Sequence, residues 1–157
     1  MAGKQLHRLE VRERAGPAWG VASMFAVALR VALIVGFLID AGIGLLALFA
    51  QPLIAPLLDV PVKDPALTTV FGGALLVLAC LYALVLRDTD RWRPLLWLCA
   101  LDQTFGVALP ALEIARGHIL ATIKTVGPMP FQVVLVALYA AGALRERTGR
   151  IPRRYTR

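Results

Sequence analysis

The chain has 157 residues, of which 59% are hydrophobic and 17% charged, with a formal net charge of +7 and a mean hydropathy of +0.71. Long uncharged runs alternate with clusters of arginine, a composition that excludes an ordinary soluble domain. The excess positive charge lies at the two ends and in one short turn, without interleaved aromatics, so it fits a membrane surface and excludes nucleic acid as the partner.

Met1 to Gly16 is a basic segment in which Leu6 and Leu9 give a short helix one apolar face, suited to lying on a membrane; Pro17 is expected to reset the backbone. Val31 to Ala50, VALIVGFLIDAGIGLLALFA, is the first run long enough to cross a bilayer. Its residues follow an apolar stretch from Trp19 that is too long to lie wholly in hydrocarbon. Setting the span at 31–50 keeps Arg30 at the headgroups, whereas a span at 19–39 would bury it at a cost of about 3 kcal/mol. The run is too long for a cleaved signal peptide and lacks small residues at a cleavage site, so an uncleaved span is expected.

Gln51 to Asp64 is apolar but proline-rich, and is expected to pack irregularly over the helix ends. Leu67 to Leu86 is the second span. The turn Arg87 to Pro94 is short, so spans two and three are expected to pair as an antiparallel hairpin. The third span runs from Leu95 to about Ala115 and contains Asp102, Gln103 and Thr104. Ile119 to Val126 reads as a partly polar linker, and the fourth span as about 129–144, beginning at Pro128 and Pro130. The tail from Arg145 to Arg157 holds six arginines.

The fold class expected is therefore all-α, an integral membrane four-helix bundle. Lysines and arginines number 14 in the segments before the first span, in the 87–93 turn and in the tail, against three in the other two loops. Both termini are thus expected on the cytoplasmic side, in a bacterial inner membrane crossed several times.

Asp40 shares a helical stripe with Gly36, Gly44 and Ala47, and small residues on one face let another helix approach. Gly72 and Gly73 on span two, and Gly106 on span three, are further candidates for close packing. Cys99, Asp102, Gly106 and Glu113 form a stripe on span three. Measured from the cytoplasmic helix ends, Asp40 lies about 14 Å deep and Asp102 about 10 Å, so the two carboxyl groups can meet. In surroundings of low polarity such a pair would share a proton or hold a cation. The plainer expectation is that each Asp is hydrogen-bonded to Gln103, Thr104, Tyr82 or Tyr139 and only fixes the packing.

Cys80 and Cys99 lie in no metal or redox pattern and are expected to be buried free thiols. Glu113 and His118 are too few for a metal site, Gln132 and Tyr139 are expected to serve packing on an interior face, and no cofactor is called for. Arg145, Arg147, Arg150, Arg153 and Arg154 would contact anionic lipid or an acidic partner.

The stretches GIGLLALFAQPLIAPLL, FGGALLVLACLYALVLRD and RDTDRWRPLLWL give a layout from Val31 to Leu144 that resembles the small four-helix membrane families of the DoxX-like and BphX-like kind. The resemblance implies a four-helix bundle with no established catalytic residues, and it brings no site with it. The leading functional expectation is a non-catalytic accessory subunit of a larger membrane complex of respiratory, electron-transfer or oxygenase type. It would be held by helix packing and basic tails, in contact with membrane lipids. The alternatives are a membrane enzyme or proton-coupled transporter for a hydrophobic substrate, using Asp40 and Asp102, and a freestanding lipid-binding scaffold.

Overall fold

A computed structural model describes residues 2–60, 62 and 64–145, with side chains from Ser23 onward. Six α-helices follow one another among the described residues: α1 (Ala2–Phe49), α2 (Ile54–Leu58), α3 (Pro65–Arg87), α4 (Leu96–Ala115), α5 (Ile123–Val126) and α6 (Met129–Leu144). Short 3-10 turns at Gln51–Leu53 and Arg93–Leu95 lead into α2 and α4. No strand occurs among the described residues. Four segments, Ser23–Phe49, Pro65–Arg87, Arg93–Ala115 and Ile123–Leu144, are long and apolar enough to cross a membrane.

The helix boundaries follow from local chemistry. Asp64 caps α3, its carboxylate accepting from the amides of Ala66 and Leu67 at 2.8 and 3.1 Å, with Pro65 in the first helical position where its missing N–H costs nothing. After α4 the chain turns at Gly117, which holds φ at +74° while its own amide donates to the Ile114 carbonyl and that of His118 to Glu113, a left-handed cap that glycine enters without strain. Thr122 and Thr125 bond each other's backbone in a reciprocal cap that starts α5, so the segment 119–126, expected to be only a linker, ends in a helical turn. α1 continues through Pro17, where a break was expected. Proline forfeits one backbone hydrogen bond and crowds the preceding turn, which bends a helix without obliging it to stop. Pro110 is likewise accommodated inside α4.

Packing divides the four long helices into two antiparallel pairs. α1 lies against α3 along its length, and α4 against α6. The hairpin expected between spans two and three exists as a chain connection, but α3 and α4 touch little. The reason lies in the small residues. Gly44 and Gly72 face each other so closely that a Cβ on Gly72 would sit 2.7 Å from that of Ala47 and 2.9 Å from the Gly44 carbonyl. A Cβ on Gly106 would meet the Gln132 amide at 2.8 Å. These contacts zip α1 to α3 and α4 to α6, because helices in lipid-like surroundings associate where backbones can approach.

The two pairs share one core. Leu29, Ala32 and Leu33 of α1, Tyr82 and Val85 of α3, Leu96, Cys99 and Ala100 of α4, and Leu135 and Tyr139 of α6 pack together. All lie toward the end of the bundle that carries Arg30, Arg87, Arg91, Arg93 and Arg145, here called the basic end. Arg93 ties this end shut: its Nε donates to the Gly142 carbonyl at 2.9 Å, placing a cation where the α6 dipole is negative. Arg145 lies over the Phe25 ring at 5.0 Å.

At the opposite, loop end the pairs are joined differently. Thr122 donates to Asp59 Oδ2 at 2.8 Å, and Lys124 reaches the Pro56 carbonyl at 2.7 Å and Asp59 at 3.5 Å. Asp59 adopts a left-handed conformation, φ 54°, as it ends α2 and turns its carboxylate toward α5. From Leu29 to Phe49 the bundle part of α1 is about 31 Å long, close to the thickness of a bilayer's hydrocarbon core.

Candidate functional site

Where the shared core gives way to the looser loop end, the buried polar residues collect. Asp40 is carried into the α1 face by the same three- and four-residue spacing that aligns Gly36 and Gly44, and is only 3% exposed. Gln103 is 2% exposed. Asp102, one residue earlier on α4, is half-buried, and its carboxyl lies beside that of Asp40, within hydrogen-bonding reach across the two helix pairs.

Tyr82 of α3 joins the group. Its hydroxyl donates to Asp102 Oδ2 at 2.8 Å, with the Cys99 carbonyl at 3.3 Å as a longer alternative. The Gln103 amide donates to Asp102 Oδ2 and to the Tyr82 oxygen, both at 3.0 Å. Tyr139 of α6 packs its ring against Tyr82 at a centroid distance of 5.8 Å and donates to the Ala32 carbonyl at 2.6 Å. Gly36 makes room for both rings: a Cβ there would lie 2.6 Å from Tyr82 Cε1 and 2.8 Å from Tyr139 Oη. α1, α3 and α4 thus contribute to one polar cluster, against which Tyr139 of α6 packs its ring.

Hydrogen bonding is incomplete at two atoms of the cluster. Asp40 Oδ2 and Gln103 Oε1 are buried without a partner. A buried acceptor left bare costs on the order of 1–3 kcal/mol, so the site asks for donors.

The other residues singled out from the sequence fall as follows. Thr104 turns back to its own helix, donating to the Ala100 carbonyl at 2.8 Å, and Tyr139 bonds the α1 backbone instead of either Asp. Gln132 lies against Gly106 on the α4–α6 seam. Gly73, expected to pack, faces open space with nothing within 4 Å of a Cβ, because it stands about 100° round the helix from Gly72. Cys99 is buried, but Cys80, also expected to be buried, is exposed on the outer face of α3; both thiols are free. Glu113 pairs with Arg116 and His118 at 3.1 and 2.8 Å on the rim. Among the described residues no group of three or more His, Cys, Asp or Glu is placed to hold a metal. Arg147, Arg150, Arg153 and Arg154 lie outside the described residues.

Tyr82, one of the four partners expected for the two Asp residues, does bond Asp102. It stands 20 positions before Asp102 across a turn, and only the depth shared by the two arms of that turn brings it level with the carboxylate. No family model, curated protein or solved structure matches the chain.

Proposed function

We propose that the chain is a multi-pass membrane protein in which Asp40 and Asp102 handle a proton for a hydrophobic substrate, at the centre of a membrane enzyme or proton-coupled transporter. One observation carries this reading: two carboxyl groups, contributed by different helix pairs, meet inside the bundle with one oxygen lacking a donor. Packing alone does not call for them. The α1–α3 seam achieves closer contact with glycine and alanine, and an acidic side chain at the middle of a membrane helix costs about 3 kcal/mol to insert. Adjacent carboxyl groups pass a single proton between them without either charge leaving the site. The distribution of arginine supports placing the basic end at the inner face of a bacterial cytoplasmic membrane.

Infrared difference spectroscopy of the full chain in lipid nanodiscs tests the reading. A protonated carboxyl band should titrate in the native protein and be lost in Asp40→Asn and in Asp102→Asn, while both variants still fold. Two carboxyl groups that titrate independently, with no band removed by both substitutions, would sink it.

A second reading has one observation in its favour. α1 runs on for about 30 Å before Ser23, where its apolar segment begins, and a helix extending from the bundle is suited to a protein partner. It supports an accessory subunit of a larger membrane complex. Purification in mild detergent would then bring a second protein along, and the Asp→Asn variants would lower assembly without touching any proton signal.

A further inference from the structure

The acid site is short of donors by more than a proton. Tyr82 brings one hydroxyl hydrogen and Gln103 two amide hydrogens, and the bonds they make go to Asp102 Oδ2 and to the Tyr82 oxygen. Asp40 Oδ2 and Gln103 Oε1 receive none. A proton shared between Asp40 and Asp102 supplies one bond, and Gln103 Oε1 stays bare. Turning the amide over does not help, because its oxygen would then face the Asp102 carboxylate.

The surroundings point to the shape of what is missing. On the loop side of Gln103 no residue of α4 is buried, and on the loop side of Leu135 none of α6 is, although α1 and α3 remain tightly joined at that level through Gly44 and Gly72. Gly106, Val107, Pro110 and Ile114 continue the inward stripe of α4 but are only half-covered. Pro110, lacking an N–H, leaves the Gly106 carbonyl without its helical donor, and so loosens α4 just above the acid site. The site is thus sealed toward the basic end and bounded by partly uncovered apolar residues toward the loop end.

We infer that this site takes the ammonium head of an amphiphilic primary amine, with its apolar body lying along α4 toward the loop end. The inference rests on Asp40 and Asp102 being the functional centre, and names the substrate class for it. An ammonium group carries three N–H donors, and the two unpartnered oxygens, Asp40 Oδ2 and Gln103 Oε1, belong to side chains grouped with the Asp102 carboxyl. Its positive charge matches the carboxyl pair, and an apolar body is at home between helices in lipid. A bare metal ion fits less well, since it would ask for more oxygen ligands than these side chains offer.

Binding of radiolabelled decylamine to the full chain tests this, in nanodiscs of phosphatidylcholine, a lipid without a primary amine. Saturable binding of one amine per chain is expected. Decyltrimethylammonium has the charge but no N–H, and should bind about tenfold more weakly or worse, as should decylamine to Asp40→Asn. Gln103→Leu should weaken binding similarly, and Thr89→Ala, in the turn at the basic end and away from the site, should leave it unchanged. Adding phosphatidylethanolamine to the discs separates two sources of the head group: competition identifies a lipid amine, and unaltered binding a free one. Equal binding of the two decyl compounds, equal binding by Asp40→Asn, or no saturable component would overturn the inference. The infrared carboxyl band, measured on the same discs, tells whether the proton reading falls with it: a band intact in the native chain and lost in the Asp→Asn variants leaves that reading standing.

Discussion

The two ends of the bundle are built on different principles. At the basic end ten buried residues from all four long helices interlock, and Arg93 bolts the α4 approach to the end of α6. At the loop end each helix pair is tight within itself, but the pairs are linked by polar contacts among Thr122, Lys124, Asp59 and Pro56 at the surface. Such contacts between exposed groups contribute well under 1 kcal/mol each, against several for a buried cluster. The difference teaches where the molecule can yield without unfolding. The acid site sits on the boundary, fixed from below by Tyr82 and Gln103 and loosely covered above, which is where a group that must exchange a proton or a ligand is best placed.

The largest effect that would break this contrast is at Gly36. Gly36→Leu drives a side chain into Tyr82 and Tyr139, both fully buried, and neither ring has anywhere to go. Overpacking of this kind costs about 3 kcal/mol or more, and disrupts both helix pairs at once. Size-exclusion chromatography in detergent should show aggregate in place of a single folded species. A well-behaved, fully folded variant would mean that the shared core is not the fixed end.

Next in size is a matched pair on α3. Gly72→Ala places a methyl 2.7 Å from Ala47 Cβ and 2.9 Å from a backbone oxygen, and should lower stability by about 2 kcal/mol. Gly73→Ala meets nothing, and should be neutral or stabilising by up to about 1 kcal/mol through helix propensity. Thermal unfolding of the two variants side by side reads the difference. Equal effects would show that α1 and α3 are not zipped through one face.

This pair also marks how far the sequence can be read. Four apolar runs are legible because hydropathy and length suffice to find helices fit to cross a membrane, and four such helices are present, although the first begins at Ser23 and the fourth at Ile123, ahead of the expected 31 and 129. The common depth of Asp40 and Asp102 follows from helical rise alone. Which glycine of the Gly72–Gly73 pair packs is not legible, since adjacent residues differ only in azimuth and azimuth is set by the partner helix. For the same reason the exposure of Cys80 and the choice of α1 with α3, instead of α3 with α4, cannot be read off a chain in which every helix is apolar all round. Tyr82 is legible only as one of four candidate partners for the two Asp residues, because its bond to Asp102 depends on how the arms of the 88–95 turn align.

A smaller effect separates the two tyrosines. Tyr82→Phe removes the hydroxyl that donates to Asp102 and accepts from Gln103, and should cost about 1–2 kcal/mol while shifting the infrared carboxyl signal. Tyr139→Phe loses one bond to the Ala32 carbonyl, should cost about 1 kcal/mol or less, and should leave that signal in place. If both variants moved the signal alike, the polar cluster would extend across α6, and the boundary between the fixed and the yielding half would lie nearer the loop end.

The smallest change in stability, and the sharpest test of the contrast, is at the surface link. Thr122→Ala removes the 2.8 Å bond to Asp59 and the cap that starts α5, leaving Lys124 to hold the two pairs together at the loop end. Stability should fall by only about 1 kcal/mol, because a capping bond and one exposed contact are lost while the shared core is untouched. The separation of spin labels placed at Leu57 and Ile123 should nevertheless broaden and lengthen, while a second pair of labels at the basic end, on Arg30 and Arg87, keeps its native distance. Motion at the loop end alone follows if the helix pairs are hinged about the shared core. Equal broadening at both ends would mean that the bundle loosens as one body, and that the acid site has no fixed side to work against.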